Sequence, residues 1–202
     1  MKTISYAITA CNEHVELEYL LSQLKENIHP EDQVVVQLDA NATEEVIKVV
    51  EKYNISKVYA TLNGDFATFK NNLKLHCTKD YIFFIDADEY LSEWLLQLPE
   101  VIELNPEIDM FAVPRINTVE GLTPEHIKQW GWRVDERGWI NYPDYQTRIC
   151  KNREDIRWVG KVHERLSTYQ PCVVQTLPDG FELLHPKDIA RQEKQNNFYN
   201  TL

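Results

Sequence analysis

Glycine is scarce in this chain, with six in 202 residues, and neither G-x-G-x-x-G nor G-x-x-x-x-G-K-[ST] occurs. That excludes the loops that cradle dinucleotides and triphosphates on backbone amides. Cysteine is sparse too. Cys11, Cys77, Cys150 and Cys172 show neither metal-ligand nor redox spacing. No secretory leader is expected, so free thiols in a reducing cytoplasm are the expected state. No apolar run approaches the roughly 20 residues of a membrane helix. Any membrane association is expected to be peripheral, at the inner surface. Positive charge is also short. Lys plus Arg number 21 against 32 Asp plus Glu, a net charge of −11. That balance argues against nucleic acid as the main partner.

The chain does have a core. Apolar residues make up 43%, and a chain of this length buries roughly 70% of its unfolded surface in one domain. Strand and helix patterns alternate through the first half. Ile4 to Ala10 reads as a strand, and Leu17, Leu20, Leu21, Leu24 and Ile28 recur at helical spacing behind Asn12 as N-cap. Gln33 to Leu38 is a second strand, and Thr43 caps a helix carrying Val46, Ile47, Val50 and Tyr53. Val58 to Leu62, a helix from Phe66 to Cys77, and Tyr81 to Ile85 follow. Leu91, Trp94, Leu95, Leu98, Val101 and Ile102 share one face of a further helix. This alternation predicts an α/β fold with a mostly parallel central sheet.

Beyond Pro106 the texture changes. Met110 to Val119, Tyr145 to Cys150 and Ile156 to Val159 read as strands, and residues 120 to 143 as irregular. A hairpin is expected over Val173 to Leu184, with Asp188 capping a polar helix that ends near Tyr199. The sequence divides here into residues 1–105 and residues 106–202.

The early strands end in polar residues: Thr9 to Glu13, Asp39 to Asn41, Asn63 to Asp65 and Asp86 to Asp88. In a doubly wound sheet such tips converge on the ligand edge. Each also suits a turn or helix cap, Asn12, Asn41 and Asp65 especially. The sharpest tip follows Tyr81-Ile-Phe-Phe-Ile85, where Asp86, Asp88 and Glu89 stand together. Asp86 and Asp88 point the same way along an extended chain. Two carboxylates aimed at one point call for a cation, and Mg²⁺ or Mn²⁺ would leave positions open for substrate phosphates. The alternative is an acidic strand-to-helix turn.

The chain resembles the family 2 glycosyltransferases with a GT-A fold, in particular short members of the lipopolysaccharide-core type. The resemblance lies in Ile4-Ser-Tyr-Ala-Ile-Thr-Ala-Cys-Asn-Glu13 with Leu20-Leu21, in Val34-Val-Val-Gln-Leu-Asp39, in Gly64-Asp-Phe-Ala-Thr-Phe-Lys-Asn71, in Tyr81 to Glu89, and in Val162-His-Glu164. It implies a single GT-A-like, Rossmann-like domain over 1–202, with residues 1–105 as a nucleotide-binding half and residues 106–202 as an acceptor and catalytic half, and a nucleoside-diphosphate sugar donor, UDP- or GDP-linked. The acceptor would be a glycan or a lipid-linked molecule, with Mn²⁺ or Mg²⁺ as cofactor and inversion at the sugar. Thr9, Ala10, Cys11 and Glu13 would line the nucleotide cleft, Asp39 would accept from the base, and Lys70 would lie near base or phosphates. Asp86 and Ala87 would contact the nucleotide, with Asp86 at the ribose or metal, and Asp88 would ligate the metal.

The last third would supply the remaining metal ligand and the base. His185 is the ligand candidate and His163 its competitor. Glu164 is the first candidate for the base, with an ion pair to Arg148 or Arg165 as its alternative role. Asp144 is the second candidate. Among Trp130, Trp132 and Trp139, two are expected to pack and one to touch ligand. Two other readings stand beside this one. An Asp-x-Asp phosphatase would place its pair after the first strand and follow it with Thr, which this chain does not do. A non-catalytic nucleotide- or sugar-binding module on the same fold would bind without turnover.

Overall fold

The computed structural model describes residues 1–199. Its first half alternates β1 (Ile4–Ala10), α1 (His14–Asn27), β2 (Gln33–Asp39), α2 (Glu44–Lys52), β3 (Ser56–Ala60), α3 (Phe66–Lys74) and β4 (Tyr81–Asp86). β1 is buried at every position except Thr9. Ile4, Tyr6, Ile8 and Ala10 enter one core with Leu17, Leu20, Leu21 and Leu24 of α1, while Ala7 enters a second core with Leu73 of α3. β4 divides in the same way, Tyr81, Phe83 and Ile85 to the first core and Ile82 and Phe84 to the second. Strands buried on both faces must be central, and their near-continuous apolar runs follow from that.

The second half adds β5 (Tyr90–Leu91), α4 (Leu98–Leu104), β6 (Met110–Glu120), α5 (Pro124–Trp130), β7 (Ile140–Lys151), β8 (Arg157–Val159), β9 (Arg165–Ser167), β10 (Val174–Thr176), β11 (Leu183–Asp188) and α6 (Ile189–Tyr199). The main sheet runs β3-β2-β1-β4-β7-β6-β11-β5, with β10 also on β6. β7 opposes both its neighbours and β5 opposes β11; the other pairings in this sheet are parallel. The result is one α/β domain, mostly parallel and mixed toward its C-terminal side. β1 has β2 on one side and β4 on the other, so the strand order reverses there. A crevice opens at such a switch point. Thr9 and Asp86, register partners across β1 and β4, stand at its mouth.

Several local expectations are corrected. The α1 cap is Glu13, not Asn12; its carboxylate accepts from the backbone N–H groups of Cys11 and Asn12 at 2.8 and 2.9 Å. The third strand is Ser56–Ala60, because Asp39 captures the Leu62 N–H at 2.8 Å and draws it out of the sheet. α3 ends at Lys74, and tighter i→i−3 bonds carry the chain on to Cys77. The single helix expected from Leu91 is broken into β5, a 3₁₀ turn at Leu95–Gln97, and α4. Pro99 sits in the first turn of α4, where its missing N–H is tolerated. The region 120–143 is not all irregular: Thr123 caps α5 and left-handed Gly131 closes it. β10 and β11 form no hairpin, since each pairs parallel with β6. Thr43, Asp65 and Asp188 do act at helix starts: each accepts a backbone N–H, from Val46, Thr68 and Arg191. The single domain expected over 1–202 extends past the described residues at 200–202.

Candidate active site

A cleft of about 1200 Å³ opens at the carboxyl ends of β1 and β4. Its lining includes Thr9, Ala10, Cys11, Glu13, Asp39, Lys70, Asp86, Ala87, Asp88, Asp144, His163, Glu164 and His185. The fold therefore brings the nucleotide, metal and base candidates read from the sequence to one cavity. Their chemistry separates them into distinct groups.

Asp86 belongs to a group of buried ion pairs. Its Oδ1 lies 3.1 Å from Lys70 Nζ and accepts from the Thr9 hydroxyl at 3.1 Å. Its Oδ2 accepts from Arg148 at 2.9 Å. Arg148 also donates to Glu89, which is fully buried and receives Arg115 at 3.1 Å. Burial pushes the Asp86 carboxyl up, but Arg148 and Lys70 outweigh it and hold it well below the usual carboxylate range. Lys70 is no solvated helix residue; its side chain is 5% exposed and its Nζ lies over the Trp158 ring. It reaches Glu164 at 2.8 Å, so the ion pair of Glu164 is with Lys70, not with Arg148 or Arg165. The backbone explains the meeting. Gly160 and His163 adopt positive φ, and the Phe66 N–H donates to the Lys161 carbonyl, which pins this turn to the start of α3.

Asp88 faces a different set. His185 Nε2 lies 3.2 Å from its Oδ2, Arg191 3.3 Å and Lys187 3.7 Å. Burial raises the Asp88 carboxyl, but His185, Lys187 and Arg191 outweigh it and bring it below the usual range. Burial in turn pulls the Lys187 ammonium down, against the attraction of Asp88. Asp144 sits at a third point. Its Oδ2 accepts from Arg115 Nε and Nη2 and from Asn117, and its Oδ1 from Gln146. Burial works against its ionisation, but Arg115 and Asn117 prevail and the carboxyl lies below its ordinary value.

The fit of a divalent cation can be judged from the donor atoms. Asp88 Oδ2 and His185 Nε2 are 3.2 Å apart. Adjacent ligands of an octahedral ion, each about 2.1 Å from it, lie about 3.0 Å from each other. A carboxylate oxygen and an imidazole nitrogen suit Mn²⁺ and comparable ions. Both oxygens of Asp86 are turned to Lys70, Thr9 and Arg148 instead. Among the described residues, no three His, Cys, Asp or Glu side chains gather round one point. Two protein ligands therefore fit, Asp88 Oδ2 and His185 Nε2, with Arg191 and Lys187 at 3.3 and 3.7 Å from the same carboxylate oxygen.

Glu13 follows β1 and Asp39 ends β2, and both line the cleft. Asp39 accepts from the Asn41 backbone and side chain and from the Leu62 N–H, so three of its roughly four acceptor positions are used. Cys11 and Ala10 line the floor between them, and burial, Glu13 and Asp39 push the Cys11 thiol up. The tryptophans also separate. Trp130 stacks on His126 and packs against Trp132, while Trp139 carries Arg137 on its face. Trp132 is the one of the three that lines the cleft.

Sequence reasoning passed over Arg148, Arg115, Asn117, Lys187 and Arg191 as site residues. Little in the sequence signalled Arg148: it follows Gln146 and Thr147 in a strand of mixed polarity, and it is the fold that leaves it 4% exposed, where a charge needs buried anions.

Residues 5–161 match the model of the family Glycosyl transferase family 2, and the chain belongs to that family. The structure is similar to that of S. aureus TarS, with a TM-score of 0.62 and 16% identity, over 92% of this chain and 37% of that one. It is similar to S. aureus TarS 1–349 in complex with UDP-GlcNAc, with a TM-score of 0.61 and 17% identity, over 93% of this chain and 59% of the other. With S. aureus TarS 1–349 in complex with UDP the TM-score is 0.62 and the identity 18%, over 92% and 60%. At these identities the likeness establishes the GT-A fold, and the chain spans less than two thirds of those chains. No curated protein matches it.

Proposed function

We propose that this chain transfers a sugar from a UDP- or GDP-linked donor to an acceptor hydroxyl, with inversion and with the help of Mn²⁺ or Mg²⁺. The acceptor would be a glycan or a lipid-linked molecule presented to the cleft from the cytoplasm. Among the described residues no helix is long and apolar enough to cross a membrane. One observation carries the reading: Asp88 and His185 meet with metal-ligand spacing at the switch point of the sheet, inside the cleft that Asp39 and Thr9 also line.

Asp88 and His185 would hold the cation. A divalent ion there supplies charge neutralisation for the departing diphosphate. Lys187 and Arg191, already beside Asp88, add positive charge to the same corner. The free acceptor position on Asp39 suits a base N–H, and Thr9 and Ala87 border the ribose side. Glu164 is the better base. It has one cationic partner, whereas the lone pairs of Asp144 are committed to Arg115, Asn117 and Gln146. Trp132 offers an aromatic face to a sugar ring.

The test is turnover. Purified protein with UDP- and GDP-sugars and Mn²⁺ should release nucleoside diphosphate by transfer or slow hydrolysis. Asp88→Ala should abolish that release. Tight nucleotide binding with no release from any donor would instead identify a non-catalytic binding module.

A further inference from the structure

Four side chains across three adjacent strands form a line with fixed hydrogen-bonding polarity. Arg115 on β6 is the register partner of Asp144 on β7, and Asn117 on β6 is the register partner of His185 on β11. Arg115 only donates, and its Nε and Nη2 lie 2.9 and 2.8 Å from Asp144 Oδ2. The same oxygen receives Asn117 Nδ2 at 2.9 Å. An amide turned the other way would set its oxygen against that carboxylate, so Asn117 has one orientation. Its Oδ1 therefore faces His185 Nδ1, at 2.7 Å. An amide oxygen only accepts, so this contact calls for a hydrogen on Nδ1.

A neutral imidazole with its hydrogen on Nδ1 carries its free electron pair on Nε2. That nitrogen is the one beside Asp88 Oδ2. An electron pair and a carboxylate at this separation repel unless positive charge lies between them, either a second ring hydrogen that Nε2 donates to Asp88 or a metal ion that takes its place. Ligating histidines are generally held by such a bond from the opposite ring nitrogen.

We propose that Asn117, oriented by Asp144, is a positioning residue that keeps the hydrogen of His185 on Nδ1 and thereby offers Nε2, together with Asp88, to a divalent cation. The inference rests on the metal-assisted transfer proposed above. It gives Asp144 an orienting role separate from that of the base. The residues stand on paired strands rather than loops, so the ring is held in register without ligand.

Two measurements test it. Mn²⁺ alone is titrated into wild type and Asn117→Leu, and free Mn²⁺ is read by electron paramagnetic resonance, with circular dichroism to verify folding. The variant should bind at least about tenfold more weakly, the usual cost of losing such an outer partner. Long-range ¹⁵N–¹H spectra of wild type saturated with Mg²⁺ and UDP should place the His185 hydrogen on Nδ1, a readout that does not depend on how the variant folds. A hydrogen on Nε2, or a folded Asn117→Leu protein that binds Mn²⁺ within twofold of wild type, overturns the inference and leaves the transferase reading standing. Wild type that takes up no Mn²⁺ overturns both.

Discussion

Lys70 and Glu164 form an ion pair of 2.8 Å in the wall of the cleft, and the same ammonium nitrogen lies 3.1 Å from Asp86. One lysine thus separates two carboxylates, each placed there by a different part of the chain. Its burial makes the arrangement depend on all three charges. Replacing Lys70 by Met leaves Glu164 facing Asp86 with no cation between them, while Arg148 still holds Asp86. Removing one partner of a buried pair typically costs 3–5 kcal/mol, and the remaining arginine places the expected loss near the lower end, about 3 kcal/mol. Urea unfolding should show a lower midpoint at unchanged slope. A loss below about 1 kcal/mol would mean that the pair behaves as a solvated one.

The roles of Glu164 and Asp144 separate kinetically. Glu164→Gln removes the proposed proton acceptor and should lower kcat by about 10²–10⁴, with little change in KM for the donor. Asp144→Asn keeps an oxygen for Arg115 and should cost far less in kcat. Steady-state kinetics of both variants decide the assignment, and the reverse order would move the base to Asp144.

Acid should unfold this protein through its cleft. Asp86 and Asp88 have carboxyls below the ordinary range because their cationic partners outweigh burial. A carboxyl depressed in the folded state adds stability above its unfolded value of about 4, and that stability is lost as pH falls through the lower folded value. Urea midpoints measured from pH 7 down to pH 2 should therefore fall on the acid side of about pH 5. Asp88→Asn should flatten that limb. An acid limb identical in the variant would show that Asp88 contributes nothing to it.

Trp132 should act on the acceptor and Trp139 should not. Trp132 lines the cleft, whereas Trp139 is occupied by Arg137 and Tyr142. An aromatic face is worth about 0.5–1.5 kcal/mol, so Trp132→Ala should raise the acceptor KM roughly two- to twelvefold. Equal effects from Trp132→Ala and Trp139→Ala would remove this distinction.

The parallel half of the fold could be read from the sequence because its code is local. Tyr81 to Ile85 is apolar on both faces and lies centrally, and Leu17, Leu20, Leu21 and Leu24 keep one helical stripe. The candidate residues were readable for a related reason: strand tips converge whenever the sheet is parallel. What escaped depends on distant partners. The displacement of Leu62 from its strand requires the Asp39 carboxylate, 23 positions away. The two separate parallel pairings of β10 and β11 require the length of β6. The division of Asp86 from Asp88 is of the same kind. Their spacing in sequence points both at one cation, but Arg148 comes from β7 to claim the first and leaves the second to His185. The cap of α5 was written locally, in Thr123-Pro124 and Gly131, and was hidden by the aromatic residues around it.

Calorimetric titration of UDP into wild type and Asp88→Ala, each with and without Mn²⁺, bears most directly on the cation proposed to lie between Asp88 and His185. Wild type should bind UDP at least about tenfold more tightly when Mn²⁺ is present, the scale of one charge-assisted contact to the diphosphate. The variant should bind it equally with and without the ion. UDP affinity in wild type that ignores Mn²⁺, or a variant that keeps the full enhancement, would contradict a metal-bridged diphosphate at this corner.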